Sequence, residues 1–137
     1  MTNIQIEHKT PTPQEYCDLR AFAGLSPKSL DAATIALKNS LFGVSLRDEQ
    51  GNLIGMGRII GDGGCFAQVT DIAVKPEHQG KGLGKMIMGE IDQFIQSQLP
   101  ASCWVSLFAD GDAHHLYQKY GFGFTAPESL GMAQWIK

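Results

Sequence analysis

Residues 4–9 alternate apolar and polar side chains, the period of a half-buried strand. Pro11 and Pro13 break that alternation, and Pro13 is placed to open a helix running to about Phe22. Residues 23–27 read as a loop. Ser26 before Pro27 reads as an N-cap with proline in the first turn, which predicts a second helix towards Lys38. A strand-rich stretch follows. Segments 41–48 and 52–60 flank a turn ending at Gly51, and segment 65–74 follows a glycine turn at 61–64. These are hairpin signals, so three successive strands are expected to form an antiparallel meander. After Gly84 the period becomes helical: Ile87, Ile91, Phe94, Ile95 and Leu99 lie on one stripe, stopped by Pro100. Segment 103–108 predicts a short strand. Segment 112–120 predicts a brief helix with Gly121 as its left-handed cap. Segments 123–126 and 132–136 predict two short extended pieces. The expected order is β-α-α-β-β-β-α-β-α-β-β, a mixed α/β (α+β) domain over 1–137 whose strand–helix–strand part is parallel and right-handed.

Composition narrows the function classes. A length of 137 residues suits one domain, and a hydrophobic share of 43% is too high for a disordered chain. Net charge is −3, and no basic block stands out, so a nucleic-acid footprint is not expected. No apolar run is long enough to span a membrane, and the first residues lack the charged and apolar regions of a secretory signal. Cys17, Cys65 and Cys103 are odd in number and widely spaced, forming neither a disulfide framework nor a metal knuckle. A reduced, cytoplasmic setting follows as the expectation. His114 and His115 are adjacent and point about 100° apart on a helix, a poor start for a metal site, so no metal is expected. Glycine is the one excess: 16 residues against roughly 7% in average proteins.

The chemistry concentrates where a strand ends at Val74 and an amphipathic helix begins near Gly84. Between them stand Gln79, Gly80, Lys81, Gly82, Leu83, Gly84 and Lys85. Alternating glycines let backbone N–H groups approach a ligand closely, and the helix N-terminus adds positive dipole, which makes an anion site suited to phosphate. The common nucleotide motifs fail by residue. A P-loop needs glycine at 79 and Ser or Thr at 86, where Gln79 and Met86 stand. A dinucleotide fingerprint needs glycine at 85 or 87, where Lys85 and Ile87 stand.

Gln79-x-x-Gly82-x-Gly84 fits a third pattern, and Asp110-x-x-Ala113-x-x-Leu116-Tyr117-x-Lys119-x-Gly121-Phe122 fits a second one downstream. Together they resemble the two signatures of the GCN5-related N-acetyltransferase (GNAT) superfamily. The resemblance is close over 70–122 and is one of element order over 1–65. It implies acetyl-CoA as cosubstrate. The pyrophosphate would lie on the N–H groups of Gln79 to Gly84, with Lys81 and Lys85 near the outer phosphates. The pantetheine arm would run beside Ile72, Ala73 and Val74. Asp110 stands where the family usually has asparagine, and a carboxylate cannot donate the amide's hydrogen bonds.

The same resemblance aligns Tyr117 with the general acid that protonates the departing thiolate. A phenol with pKa about 10 is protonated at neutral pH and can donate. The base is open. Gln68 stands where some members carry a base glutamate, and Asp71 is the nearest ionisable residue on that strand. Alternation puts Asp71 on the face opposite Gln68, and it reads equally as a structural carboxylate. The implied acceptor pocket would be lined by Phe22, Leu25, Phe42, Arg58 and Trp135, with Phe124 and Met132 nearby, and Arg58 suits an acceptor carboxylate and equally a pairing with a surface acid. The leading expectation is N-acetylation of a small primary amine. A protein or peptide acetyltransferase and a non-catalytic acyl-CoA-binding module are the alternatives. A homodimer is implied by resemblance only.

Overall fold

The computed structural model describes residues 3–137. The chain runs β1 (Gln5–Glu7), α1 (Pro13–Phe22), α2 (Leu30–Lys38), β2 (Phe42–Arg47), β3 (Leu53–Gly61), β4 (Phe66–Val74), a 3-10 turn (Pro76–His78), α3 (Leu83–Gln98), β5 (Trp104–Ser106) and α4 (His114–Gln118). The sheet has the order β1-β2-β3-β4-β5. Its first four strands are antiparallel, and β5 lies parallel to β4. The meander follows from its turns. Asp48 Oδ1 accepts from the backbone N–H of Gln50 and Asn52 in the first, where Gly51 takes φ +83°. Asp62 Oδ1 accepts from Gly64, Cys65 and Phe66 in the second.

Two apolar layers sandwich the sheet. On one face α3 inserts Leu83, Ile87, Met88 and Ile91 against Val44, Leu46, Ile54, Ile59 and Val69. On the other, Tyr16 and Leu19 of α1 and Ala33 and Leu37 of α2 cover Leu53, Met56 and Ala73. Burying side chains of this size is worth about 1.5–3 kcal/mol each, which makes these layers the main force seating the helices.

α1 starts where its proline predicts. Thr12 caps it, and Glu15 completes a capping box by reaching back to the Thr12 N–H. Glu15 also receives Arg47 from β2 at 2.7 and 3.0 Å. Those Arg47 hydrogen bonds pull the Glu15 carboxyl down to about 2, against the opposing effect of burial. A carboxyl lowered in the folded state stabilises above its unfolded pKa of about 4.5, and that contribution disappears as pH falls towards 2. Glu15→Gln is therefore expected to lower the urea midpoint at pH 7 and to flatten the acid loss between these values. Parallel wild-type and variant curves down to pH 2 would count against the pairing.

Three elements depart from the sequence expectation. α2 begins at Leu30 with Ser29 as its cap, not at Ser26. The carbonyl and hydroxyl of Ser26 are taken by Arg20, so that residue anchors a loop instead of a helix. The two C-terminal extended pieces form no strand: beyond Gly121 no ladder joins the described residues to the sheet. A strand needs a partner edge for its N–H and C=O groups. β5 offers three residues, and Gly123, Pro127 and Gly131 interrupt the tail. Among the described residues no helix is long and apolar enough to cross a membrane.

Candidate active site

The site begins with an irregularity in β4. Met56 pairs with Ala73 and Arg58 with Thr70, so Gly57 alone faces both Asp71 and Ile72. This is a β-bulge, with Asp71 in the left-handed region at φ 61°. Asp is among the few residues that tolerate that conformation. The bulge inverts the alternation of the strand. Ala67 and Val69 face the α3 layer before it, Ile72 and Val74 face that layer after it, and Asp71 and Ala73 turn to α1. Gly57 is required here, because a Cβ on it would lie 2.7 Å from both Ile72 Cδ1 and Ile87 Cγ2. A glycine inside a predicted strand signals such a bulge.

β5 pairs with β4 only across Phe66–Gln68, so the two strands part beyond Gln68. The edge of β4 from Val69 to Val74 is left without a strand partner on that side, which exposes main-chain donors and acceptors to a cleft. At its end the backbone turns through Pro76–His78, and the Gln79 side chain donates to the Val74 carbonyl at 3.0 Å. Gly80 and Gly82 take φ +79° and +82°, conformations that L side chains rarely adopt. Gly82 is the N-cap of α3 and supplies no side chain to its first turn. The first N–H groups of a 16-residue helix therefore face outwards uncapped. A Cβ on Gly84 would meet only Leu116, at 3.6 Å.

Tyr117 stands at the centre. A groove of about 310 Å³ beside it is lined by Ile72, Ala73, Val74, Gln79, Gly80, Leu83 and Gly84. A cavity of about 790 Å³, which shares Ile72, Gln79, Ala113 and Tyr117 with the groove, is lined further by Arg20, Leu25, Ser26, Gln68, Thr70 and Asp110. A third, more apolar cavity of about 430 Å³ lies towards Phe108, Phe124 and Leu130 and also touches Tyr117. α4 places the phenol there, and Gly121 at φ +90° closes the helix behind it. Burial, and secondarily the Asp110 carboxylate, push the Tyr117 hydroxyl above its usual pKa of 10. It stays protonated across the neutral range as a donor.

The structure brings together part of the predicted set. Leu25 lines the large cavity, and Asp110 sits on its wall. Lys81 and Lys85 are exposed on the outside of the glycine loop, and the Lys85 carbonyl accepts from Tyr120. Four expected acceptor residues lie elsewhere. Phe22 is exposed beneath Lys75 in a shallow hollow by Asn52. Phe42 stacks on Phe94 of α3 at 4.7 Å, as packing. Trp135 lies under Lys28 in the tail. Arg58, read equally as meeting an acceptor carboxylate or pairing with a surface acid, pairs with an acid, but a buried one: it donates to Asp71 at 2.6 Å and reaches Ala36 and Ser40 at the end of α2.

Asp71 also differs from its expected orientation and from the base role. The bulge turns it towards α1, where Oδ1 accepts from Arg20 Nη1, and Oδ2 from the Tyr16 hydroxyl at 2.8 Å and Arg58 Nε. Three of about four acceptor positions are thus occupied, which leaves little of the carboxylate to take an amine's proton. Burial, and then the Asp71 carboxylate, raise the Tyr16 phenol above 10, so it remains a donor. Tyr16 and Arg20 escape notice in the sequence, and Ser26 is read there only as a helix cap. Their signal is faint but present: Tyr16, Leu19 and Arg20 share one helical stripe by spacing, and an arginine on a buried stripe calls for an internal partner.

Residues 38–123 match the acetyltransferase (GNAT) domain. The chain is 34% identical over 113 residues to ycf52 of Pyropia yezoensis, an uncharacterised N-acetyltransferase, across 80% of this chain and 62% of the relative. Among solved structures, SA2161 of meticillin-resistant Staphylococcus aureus, a protein of unknown function, has a TM-score of 0.90 at 45% identity, covering 98% of this chain and 99% of that one. YhbS of Escherichia coli, a GNAT family N-acetyltransferase solved in complex with CoA, shares the fold with a TM-score of 0.68 at 18% identity, over 92% and 72% of the two chains. The chain belongs to the GCN5-related N-acetyltransferase (GNAT) family. It spans less than two thirds of the length of the first curated relatives it matches.

Proposed function

We infer that the protein transfers an acetyl group from acetyl-CoA to the primary amine of a small molecule, with Tyr117 as general acid. The observation that carries this reading is that Tyr117 lines both the 310 Å³ groove and the 790 Å³ cavity that adjoins it. The groove suits CoA in its chemistry. The uncapped first turn of α3 and the left-handed glycines at 80 and 82 offer N–H groups to a pyrophosphate, and the unpaired edge of Ile72, Ala73 and Val74 offers main-chain partners to the amide groups of pantetheine. YhbS, which shares the fold, was solved with CoA. The cavity has the volume typical of small-molecule sites, about 300–1,000 Å³.

In this reaction acetyl-CoA supplies an activated acyl group. The amine nitrogen attacks the thioester carbonyl carbon, the C–N bond forms and the C–S bond breaks. The Tyr117 hydroxyl gives its proton to the leaving sulfur, the nitrogen sheds one proton to solvent as the amide forms, and the phenolate regains one from solvent, so the protons balance. A backbone N–H of the bulged strand stabilises the oxygen as its charge grows. Asp71 is not assigned as base, since its oxygens are engaged. The acceptor reacts as the neutral amine, and kcat/KM is expected to climb with pH towards the amine's own pKa, about 10.4 for an alkylamine.

A thiol-release assay with acetyl-CoA decides the reading. The panel is spermidine, tryptamine, glucosamine, L-lysine and a histone-tail peptide. Faster turnover of a free amine than of the peptide is expected. Preferred turnover of the peptide would move the acceptor to proteins, and CoA binding without any turnover would leave a binding module.

A further inference from the structure

The acceptor cavity and the bulged strand share one support, Arg20. Its side chain is 9% exposed and that of Asp71 4% exposed. Arg20 Nη1 donates to Asp71 Oδ1, on the bulge. Its Nε and Nη2 donate to the Ser26 carbonyl at 3.0 and 2.8 Å, and Nη2 also reaches Ser26 Oγ at 3.0 Å. Ser26 belongs to the connection between α1 and α2, which forms one wall of the 790 Å³ cavity through Ala23, Gly24, Leu25 and Ser26. That wall has neither helix nor strand hydrogen bonds at Leu25 and Ser26 beyond the one from Leu25 N–H to the Arg20 carbonyl. Arg58 holds the same carboxylate from β3 but is directed to α2 and does not line the cavity.

We propose that Arg20 is a positioning residue for the acceptor: its planar fork locks the acceptor wall at Ser26 to the β4 bulge at Asp71, and so holds the shape of the cavity in which the amine binds. The proposal rests on the acetyl-transfer reading above. Only a guanidinium can bridge in this way. It presents donors on two edges at once, whereas an ammonium is a single point charge. A left-handed, non-glycine residue in a strand also needs support, since such conformations are costly and persist only where surroundings hold them. Arg20, Arg58 and Tyr16 supply it. The bulge and the wall are thereby coupled: release of Ser26 widens the cavity without touching the glycine loop.

The test uses the full chain with Arg20→Lys and, as a gentler second variant, Tyr16→Phe. Arg20→Lys keeps the charge for Asp71 but loses the fork on Ser26. Its KM for the panel amine that the wild type turns over fastest should rise about tenfold, as one lost charge-assisted hydrogen bond implies. Its Kd for CoA by calorimetry should stay within about twofold, and kcat should change less than KM. Hydrogen–deuterium exchange should quicken at residues 23–27 and 70–73 together. Tyr16→Phe should quicken exchange at 70–73 and leave 23–27 as in the wild type. A fall in kcat alone, a joint rise of CoA Kd and amine KM, or unchanged exchange at 23–27 in Arg20→Lys overturns the proposal. Absence of both CoA binding and turnover in the wild type overturns the functional reading, and this inference with it.

Discussion

Replacing Tyr117 with phenylalanine is expected to lower kcat by about two orders of magnitude or more, within the range of general acid catalysis. The affinity for CoA should change little, because the phenol ring that borders the groove remains. The pH profile carries the sharper information. In the proposed mechanism the reactive form is the protonated phenol, and burial together with Asp110 holds its pKa above the usual 10. Loss of the acid is therefore confined to pH above 10, and the wild-type profile below that reports the acceptor amine alone. The variant should keep that amine limb at a reduced height. A variant with wild-type kcat at every pH would remove Tyr117 from proton transfer. A lost hydroxyl that acts only in packing would instead lower the melting temperature and leave kcat intact.

Asp71→Ala should be the most damaging single change to stability. It leaves Arg20 and Arg58, whose side chains are 9% and 11% exposed, beside one another with no countercharge. Breaking a buried pair by removing one partner costs about 3–5 kcal/mol, because the remaining charge is left desolvated. In a chain of this length the melting temperature should fall by something on the order of 10 °C. Asp71→Asn should cost less, since its carbonyl still accepts one arginine. Calorimetric melting of the three proteins measures this directly, and a fall of only a degree or two in the alanine variant would show that the network adds little to stability. The pair of variants also separates charge from geometry: activity retained in Asp71→Asn at permissive temperature means that hydrogen bonds to the bulge suffice.

Much of this architecture is legible along the chain. Pro13 after Thr12 marks the start of α1, because a proline ring and a side-chain cap act on the backbone beside them. Gly51, Asp48 and Asp62 mark the hairpin turns for the same reason. The stripe of Ile87 and Ile91 marks the buried face of α3, and the spacing of Gln79, Gly82 and Gly84 marks the phosphate-type loop. Gly57 announces a disturbance in β3, though not which neighbour intrudes upon it.

The misplaced residues share a different cause. Ser26 has the chemistry of a helix cap, yet an arginine six positions earlier captures it, and Ser29 caps instead. Phe42 and Phe22 are apolar side chains of the kind a pocket uses, but one is spent on α3 and the other is left at the surface. The C-terminal segments have strand-like composition and find no edge to join among the described residues.

By itself, then, the sequence determines the elements as far as α4, their order, the glycine loop and the tyrosine that follows it, because caps, turns and periodicity act over a few residues of backbone. Only the tertiary structure decides which way Asp71 faces and what it serves. Its partner Arg20 lies 51 positions away, and the bulge that turns it exists only in the register between β3 and β4. A rule of alternation holds for a regular strand, and one extra residue in the ladder reverses it.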